Sequence, residues 1–148
     1  MFLSVGCANK ASKQVILAKD VEQNIIAKEV WTETVTGMKF RKIPRKSIFF
    51  RIGSPSTEQG RKDDEKQHTL RVEKYWIAET EVTQKQWNTI MRFNPSKFKG
   101  DDLPVDSVSW NLAQKFIKTL NTRTGKKFRL PTEAEWELAA RAGTTTAR

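Results

Sequence analysis

Residues 129–143, RLPTEAEWELAARAG, set the strictest condition on how this chain can fold. Pro131 cannot continue a ladder and forces a change of direction. Thr132 is a good N-cap and Glu135 stands three residues on. That pair makes a capping box, in which the threonine hydroxyl accepts from the Glu135 amide and the glutamate accepts from the Thr132 amide. Loss of such a cap costs about 1 kcal/mol. Gly143 offers the left-handed stop. Between these ends Ala134, Trp136, Leu138, Ala139, Ala140 and Ala142 spread over more than half of the helical wheel, at about 100° per residue. Glu133, Glu137 and Arg141 share the remaining stripe. A helix of this kind needs protein around most of it. The expectation is therefore burial on nearly every side, against something that follows or joins the chain.

Composition removes several kinds of chemistry. The chain has 148 residues, enough for one domain with a sizeable core. It carries one cysteine, Cys7, and one histidine, His68. No intrachain disulfide can form, and no Cys/His zinc or iron site can be assembled from this chain. A Ser-His-Asp triad would have to use His68, and no nucleophile-elbow motif is present. No segment approaches the roughly 20 apolar residues of a membrane span. The net charge of +10 raises the question of a nucleic-acid partner. Residues 1–53 hold ten basic and four acidic residues, and residues 54–148 hold seventeen and thirteen, with no long basic run. The reading is a solvated basic surface and no nucleic-acid partner. The opening MFLSVGCANK has a short apolar run before Gly6-Cys7-Ala8 and resembles the tail of a lipoprotein signal, although the run is short and no basic residue precedes it. Cys7 is thus a candidate lipidation site. A membrane contact is expected only if Cys7 is lipidated. A cell-envelope location goes with that reading, and a cytoplasmic one with Met1 as the true start.

Along the chain, residues 1–36 read as a signal remnant followed by a polar stalk. Residues 38–53 read as two short strands around a turn at residues 44–47. Residues 54–67 lack any apolar side chain and read as an exposed loop; Asp63, Asp64 and Glu65 lack the alternating ligands and turn glycine of a calcium loop. Residues 68–83 read as a strand with a bulky Tyr75-Trp76-Ile77 knot. Thr83 then opens a helix with Gln86 as a second capping box, Trp87, Ile90 and Met91 as its inner stripe, and Asn94-Pro95 as its stop. Ser109 caps a further helix in which Ala113, Phe116, Ile117 and Leu120 fall at i, i+3, i+4 and i+7. Gly125 ends it, and residues 127–130 form one short strand before the last helix. The class is α+β, with no βαβ alternation and no phosphate-cradling loop. Three helices and few strands, with five tryptophans to house, leave more apolar surface than the chain can hide.

The segments GMKFRKIP, SIFFRIGSP, DDEKQHTLRVEKYWIAETEVTQKQW, NPSKFKGDDLPVDSVSW and TGKKFRLPTEAEWELAARAG, in this order, resemble the formylglycine-generating enzyme (sulfatase-modifying factor) family from Gly37 to Gly143. The residues that carry the likeness are Thr83, Gln86, Pro104, Val105, Ser109, Trp110, Arg129, Pro131, Thr132, Glu135, Trp136 and Arg141. The resemblance implies a C-type lectin-like α+β fold. It also implies, for complete members, oxidation of a sulfatase cysteine to formylglycine with oxygen and copper, calcium in long loops, or iron in related oxidases. The copper-binding cysteine pair of those enzymes follows the stretch matching residues 129–143. Residues 37–148 therefore match the N-terminal half of such a domain, with no catalytic, cofactor or metal residue of their own. Ile52 stands where methionine is usual, Arg45-Lys46 replaces a common Ala-Gly, and the proline before His68 is missing. Three functions remain open: half of an oxidase-type domain, inactive alone; a lectin-like binding module using Trp76, Trp110 and the 54–67 loop; and the product of a split gene. The expected partner is a C-terminal half, or a protein that covers the last helix.

Overall fold

The computed structural model describes residues 1–6, 29–43, 48–54, 57, 59–60, 62 and 66–141. These residues fall into two compact units. The first takes in residues 1–6, 29–42 and 75–131, and the second has its described residues within 43–74 and 132–141.

The first unit is a five-stranded sheet with two helices. Its strands are β1 (Ser4–Gly6), β2 (Val30–Thr32), β3 (Lys39–Ile43), β6 (Tyr75–Ala78) and β7 (Phe128–Arg129), in the order β2-β3-β6-β1-β7. β1 pairs antiparallel with β6 on one side, Ser4 opposite Ile77, and with β7 on the other, Val5 opposite Phe128. Leu3 is fully buried in the core. Within the stretch read as signal remnant and stalk, residues 4–6 thus pair in the sheet and Leu3 enters the core. At its other end Trp31 of β2 pairs with Phe40. The candidate lipidation residue Cys7 lies outside the described residues.

Helix α1 (Gln84–Met91) starts as its sequence requires. The Thr83 amide donates to Gln86 Oε1 at 3.0 Å, and the Gln86 amide donates to Thr83 Oγ1 at 3.3 Å. Trp87 and Ile90 are buried and Met91 half-buried. The helix stops before Asn94-Pro95, because Arg92 adopts a left-handed conformation (φ 60°) and returns its amide to the Asn88 carbonyl. Helix α2 (Trp110–Thr124) is capped by Ser109, whose hydroxyl accepts from the Leu112 amide at 3.2 Å. It buries Ala113, Phe116, Ile117 and Leu120, and it ends at Gly125 with φ 67°. Trp87 stacks on Phe116 with ring centres 4.8 Å apart and planes 4° from parallel. Phe40, Trp31 and Phe128 form a second aromatic group, with centres 5.3–6.2 Å apart. Such pairs add roughly 0.5–1.5 kcal/mol to the gain from burial alone.

The chain between α1 and α2 has no regular structure, yet it is fastened. Gln84, 2% exposed, makes four side-chain bonds. Its Nε2 donates to the carbonyls of Phe98 (2.9 Å) and Pro104 (3.2 Å), and its Oε1 accepts from Asn94 Nδ2 (2.7 Å) and the Gly100 amide (3.1 Å). Pro104 sits in a bridge with Thr83, and the buried Val105 donates its amide to the Val82 carbonyl. The signature residues of this region therefore hold loop to helix. Asp106 completes the loop. The Ser107 hydroxyl and the Lys97 amide both donate to its Oδ1, at 2.7 and 3.0 Å. These two bonds, helped by the Lys99 and Lys97 charges, hold the Asp106 carboxyl below its ordinary pKa against a small opposing effect of burial.

The second unit is the antiparallel pair β4 (Ile48–Ile52) and β5 (His68–Val72) with helix α3 (Glu133–Arg141). Ile48 faces Val72 and Ile52 faces His68 across the pair. The stretch 68–83 thus holds two strands, not one. β5 belongs to this pair and β6 to the larger sheet, and the polar Glu73-Lys74 step separates them. Likewise β3 and β4, expected around a common turn, pair with different partners; residues 44–47 lie outside the described residues. Helix α3 packs on β4 and β5. It buries Ala134, Glu135 and Leu138 and leaves Trp136 51% exposed. Within this chain one stripe of the helix is covered, and Ala139 and Ala140 are half-buried.

Two outcomes follow for the first unit. Gln84→Leu keeps the volume but strands the backbone groups at residues 98, 100 and 104, and should destabilise it by roughly 3 kcal/mol in urea denaturation; an unchanged midpoint would refute the role given to Gln84. Because the folded Asp106 pKa is lowered, its contribution is present above the unfolded value and is lost as pH falls through the folded one. An NMR titration should place its midpoint below that of an aspartate in an unstructured peptide.

Candidate functional site

Each unit carries a concave surface. In the second unit an open cleft of ≈ 900 Å³ lies between the β4–β5 pair and α3. Leu70, Val72 and Ala134 line it with Trp136 and His68, and Lys66, Arg71, Glu73 and Glu133 add charge. Its end is built by a clamp. Gly53, at φ 87°, donates its amide to Glu137 Oε1 (3.3 Å) and its carbonyl accepts from Arg141 Nη2 (3.2 Å). Glu137 and Arg141 are themselves ion-paired one helical turn apart, and Arg141 also lies over the Phe50 ring. Both side chains are less than a fifth exposed, so the pair is screened far less than one on the surface. At the start of α3 the capping box forms as expected. The Thr132 amide donates to Glu135 Oε2 at 2.8 Å and the Glu135 amide to Thr132 Oγ1 at 3.3 Å. The expected stop at Gly143 lies outside the described residues.

In the first unit a shallower groove of ≈ 690 Å³ runs between α2 and β7. Trp110, 68% exposed, stands at one end, with Gln114 and Lys118 one and two turns further along α2. Phe128, Arg129, Leu130 and Pro131 form the other wall. Asn121 locks that wall in place. Its Nδ2 donates to the Phe128 carbonyl at 3.0 Å, and its Oδ1 accepts from the Phe128 amide at 2.7 Å.

The signature residues read from the sequence therefore have placed roles. Thr83 with Gln86, and Thr132 with Glu135, are helix caps. Pro104, Val105 and Ser109 fix the chain between helices. Trp110, Arg129 and Pro131 line the first unit's groove, and Trp136 and Arg141 line the second unit's cleft. Trp76 is half-buried beside Trp31 in the sheet. The sequence reading missed Gly53, Gln84, Glu137 and Asn121. The Glu137–Arg141 spacing of four was a usable signal for the ion pair. The partner glycine, 84 residues away from Glu137, had none.

The metals implied by the resemblance can be tested against the donors. Among the described residues no group of three His, Cys, Asp or Glu side chains is placed to hold a metal ion. Residues 38–148 contain no cysteine, so a thiolate copper site does not fit them. His68 is exposed, and its Nδ1 lies 3.0 Å from the Lys66 carbonyl. Asp63, Asp64 and Glu65 lie outside the described residues.

Residues 38–148 match the sulfatase-modifying factor enzyme 1-like domain. The chain belongs to that family. A chaperone protein LppX of Paenibacillus barcinonensis is 31% identical, over 47% of this chain and 36% of that protein. Among solved structures, Treponema denticola variable protein 1 superposes with a TM-score of 0.64 at 25% identity, covering 76% of this chain and 56% of the other. PvdO from Pseudomonas aeruginosa superposes with a TM-score of 0.69 at 23% identity, covering 78% and 52%. The mixed α/β arrangement is thus the fold of the sulfatase-modifying factor family, as the sequence resemblance implied. The chain spans about half of each solved relative and about a third of the curated one.

The clamp is open to a double-mutant cycle. Glu137→Gln and Arg141→Met should each destabilise the second unit, and the pair should show a coupling of about 1–2 kcal/mol in thermal or urea unfolding. Additive effects would mean that the two side chains act independently.

Proposed function

We propose that residues 38–148 are a framework segment of a sulfatase-modifying-factor-type domain, one that handles polypeptide and performs no cysteine oxidation by itself. The donor set carries this reading. A stretch with no cysteine lacks the thiolates that copper chemistry needs, and its single exposed histidine sets its ring nitrogen against the Lys66 carbonyl. The polar residues of the family signature are engaged instead with this chain's own backbone, at Gly53, Thr83 and Thr132. In this reading oxidation of a sulfatase cysteine, with its copper and calcium, or the iron of related oxidases, requires polypeptide outside this segment. A relative described as a chaperone, 31% identical over 47% of this chain, favours contact with other proteins.

A second reading shares the same framework. Trp110 and Trp136 are 68% and 51% exposed beside concave surfaces, and both are signature residues. They are suited to being covered by further polypeptide that completes the domain, whether a C-terminal half or a partner protein.

Titration of the chain with cuprous ion against a chromophoric chelator tests the first reading. The expected outcome is no competition and no oxygen uptake in the presence of a cysteine-containing peptide. Stoichiometric, chelator-resistant binding would contradict it.

A further inference from the structure

We infer that the α2–β7 face of the first unit is a docking surface for an acidic polypeptide segment that carries an aromatic or branched apolar side chain. The inference deepens the polypeptide-handling reading above and rests on it. From Ser107 to Thr132 the sequence has no aspartate or glutamate, against Lys115, Lys118, Arg123, Lys126, Lys127 and Arg129. The fold brings this one-signed stretch together as α2, β7 and the turn between them. Arg123 donates to the Thr89 carbonyl, and Lys126 lies over the Trp31 ring at 4.9 Å. Among the described residues neither these two nor Lys115, Lys118 or Lys127 has a carboxylate partner. The groove is lined by Lys118 and Arg129 and by no acid.

At two other surfaces that expose an aromatic ring, charge is balanced. The cleft of the second unit sets Lys66, Arg71 and Arg141 against Glu73, Glu133, Glu135 and Glu137. The loop around the exposed Phe98 sets Arg92, Lys97 and Lys99 against Asp101, Asp102 and Asp106. Of these three surfaces the α2–β7 face is the one with no acid among its described residues, so charge complementarity favours a carboxylate-rich occupant.

The groove floor selects a polypeptide. Ile117, Phe128, Leu130 and Pro131 are apolar and suit a side chain. Trp110 supplies one flat, exposed ring at the mouth, whereas a single-stranded nucleic acid calls for successive stacking platforms. Docking is by side chains and not by strand addition, because Asn121 already occupies the outer amide and carbonyl of Phe128.

Fluorescence anisotropy with the intact chain tests this. The probes are a short labelled peptide alternating glutamate and phenylalanine, the same peptide with glutamine for glutamate, and an oligothymidylate. The acidic peptide should bind, and Lys118→Glu and Trp110→Ala should each weaken it by about tenfold. Lys62→Glu, an equal charge change on the other unit, should alter binding by less than about twofold. Equal binding of the glutamine peptide, or equal effects of Lys118→Glu and Lys62→Glu, would overturn the acidic assignment and leave the polypeptide reading standing. Preference for oligothymidylate would overturn it in favour of nucleic acid. Binding of neither peptide would overturn both this inference and the reading beneath it. Lys118 and Trp110 are exposed, and an unchanged melting curve for each variant guards against unfolding.

Discussion

A buried backbone amide or carbonyl must find a partner, and in this chain many such groups have no strand or helix to supply one. The fold depends on side chains that take over that duty. Gln84 satisfies the loop at residues 98, 100 and 104. Glu33, 1% exposed, accepts from the Val35 and Thr36 amides, both at 2.7 Å, and so closes the turn between β2 and β3. Asn121 closes the edge of β7. Glu137 and Arg141 hold both polar groups of Gly53. Each is a buried or half-buried polar side chain whose loss would strand backbone groups, so each weighs more than a surface hydrogen bond.

This division of labour explains what could be read from the sequence. Periodicity and caps are local, and Thr83, Gln86, Ser109, Gly125, Thr132 and Glu135 all act where local chemistry placed them. The apolar stripe of α2 is buried residue for residue. Pairing is not local. Nothing in HTLRVEKYWIA marks the point where one strand leaves a two-stranded pair and the next joins a five-stranded sheet. Nothing in MFLSVG distinguishes a strand that pairs on both edges from the end of a leader. The side-chain tethers were illegible for the same reason, since a buried glutamine and a solvated one look alike until their partners, 10 to 20 residues away, are known.

In the last helix the alanines widen the apolar arc, but each removes little surface from water. The strand pair and the Gly53 clamp account for the buried stripe, and the residue that still faces outward is Trp136. Trp110 and Trp136 are exposed, as are Phe49, Phe93 and Phe98, and each of the two tryptophans lies beside a concavity on a tethered helix. Rigid aromatic groups on fixed helices lose little entropy on binding, which suits recognition of another polypeptide. Residues 38–148 contain no cysteine for a thiolate copper site, and the proposed contribution of this segment is the framework and the surface it displays.

Native-state hydrogen exchange measures the tethering directly. The account predicts that the amides of Gly53, Gly100 and Phe128, all outside helices and all bonded to side chains, exchange only through the opening that also exposes their unit's core, with Gly100 and Phe128 matching the interior of α2. Exchange of these amides at the rate of solvent-exposed loops, while α2 stays protected, would contradict it.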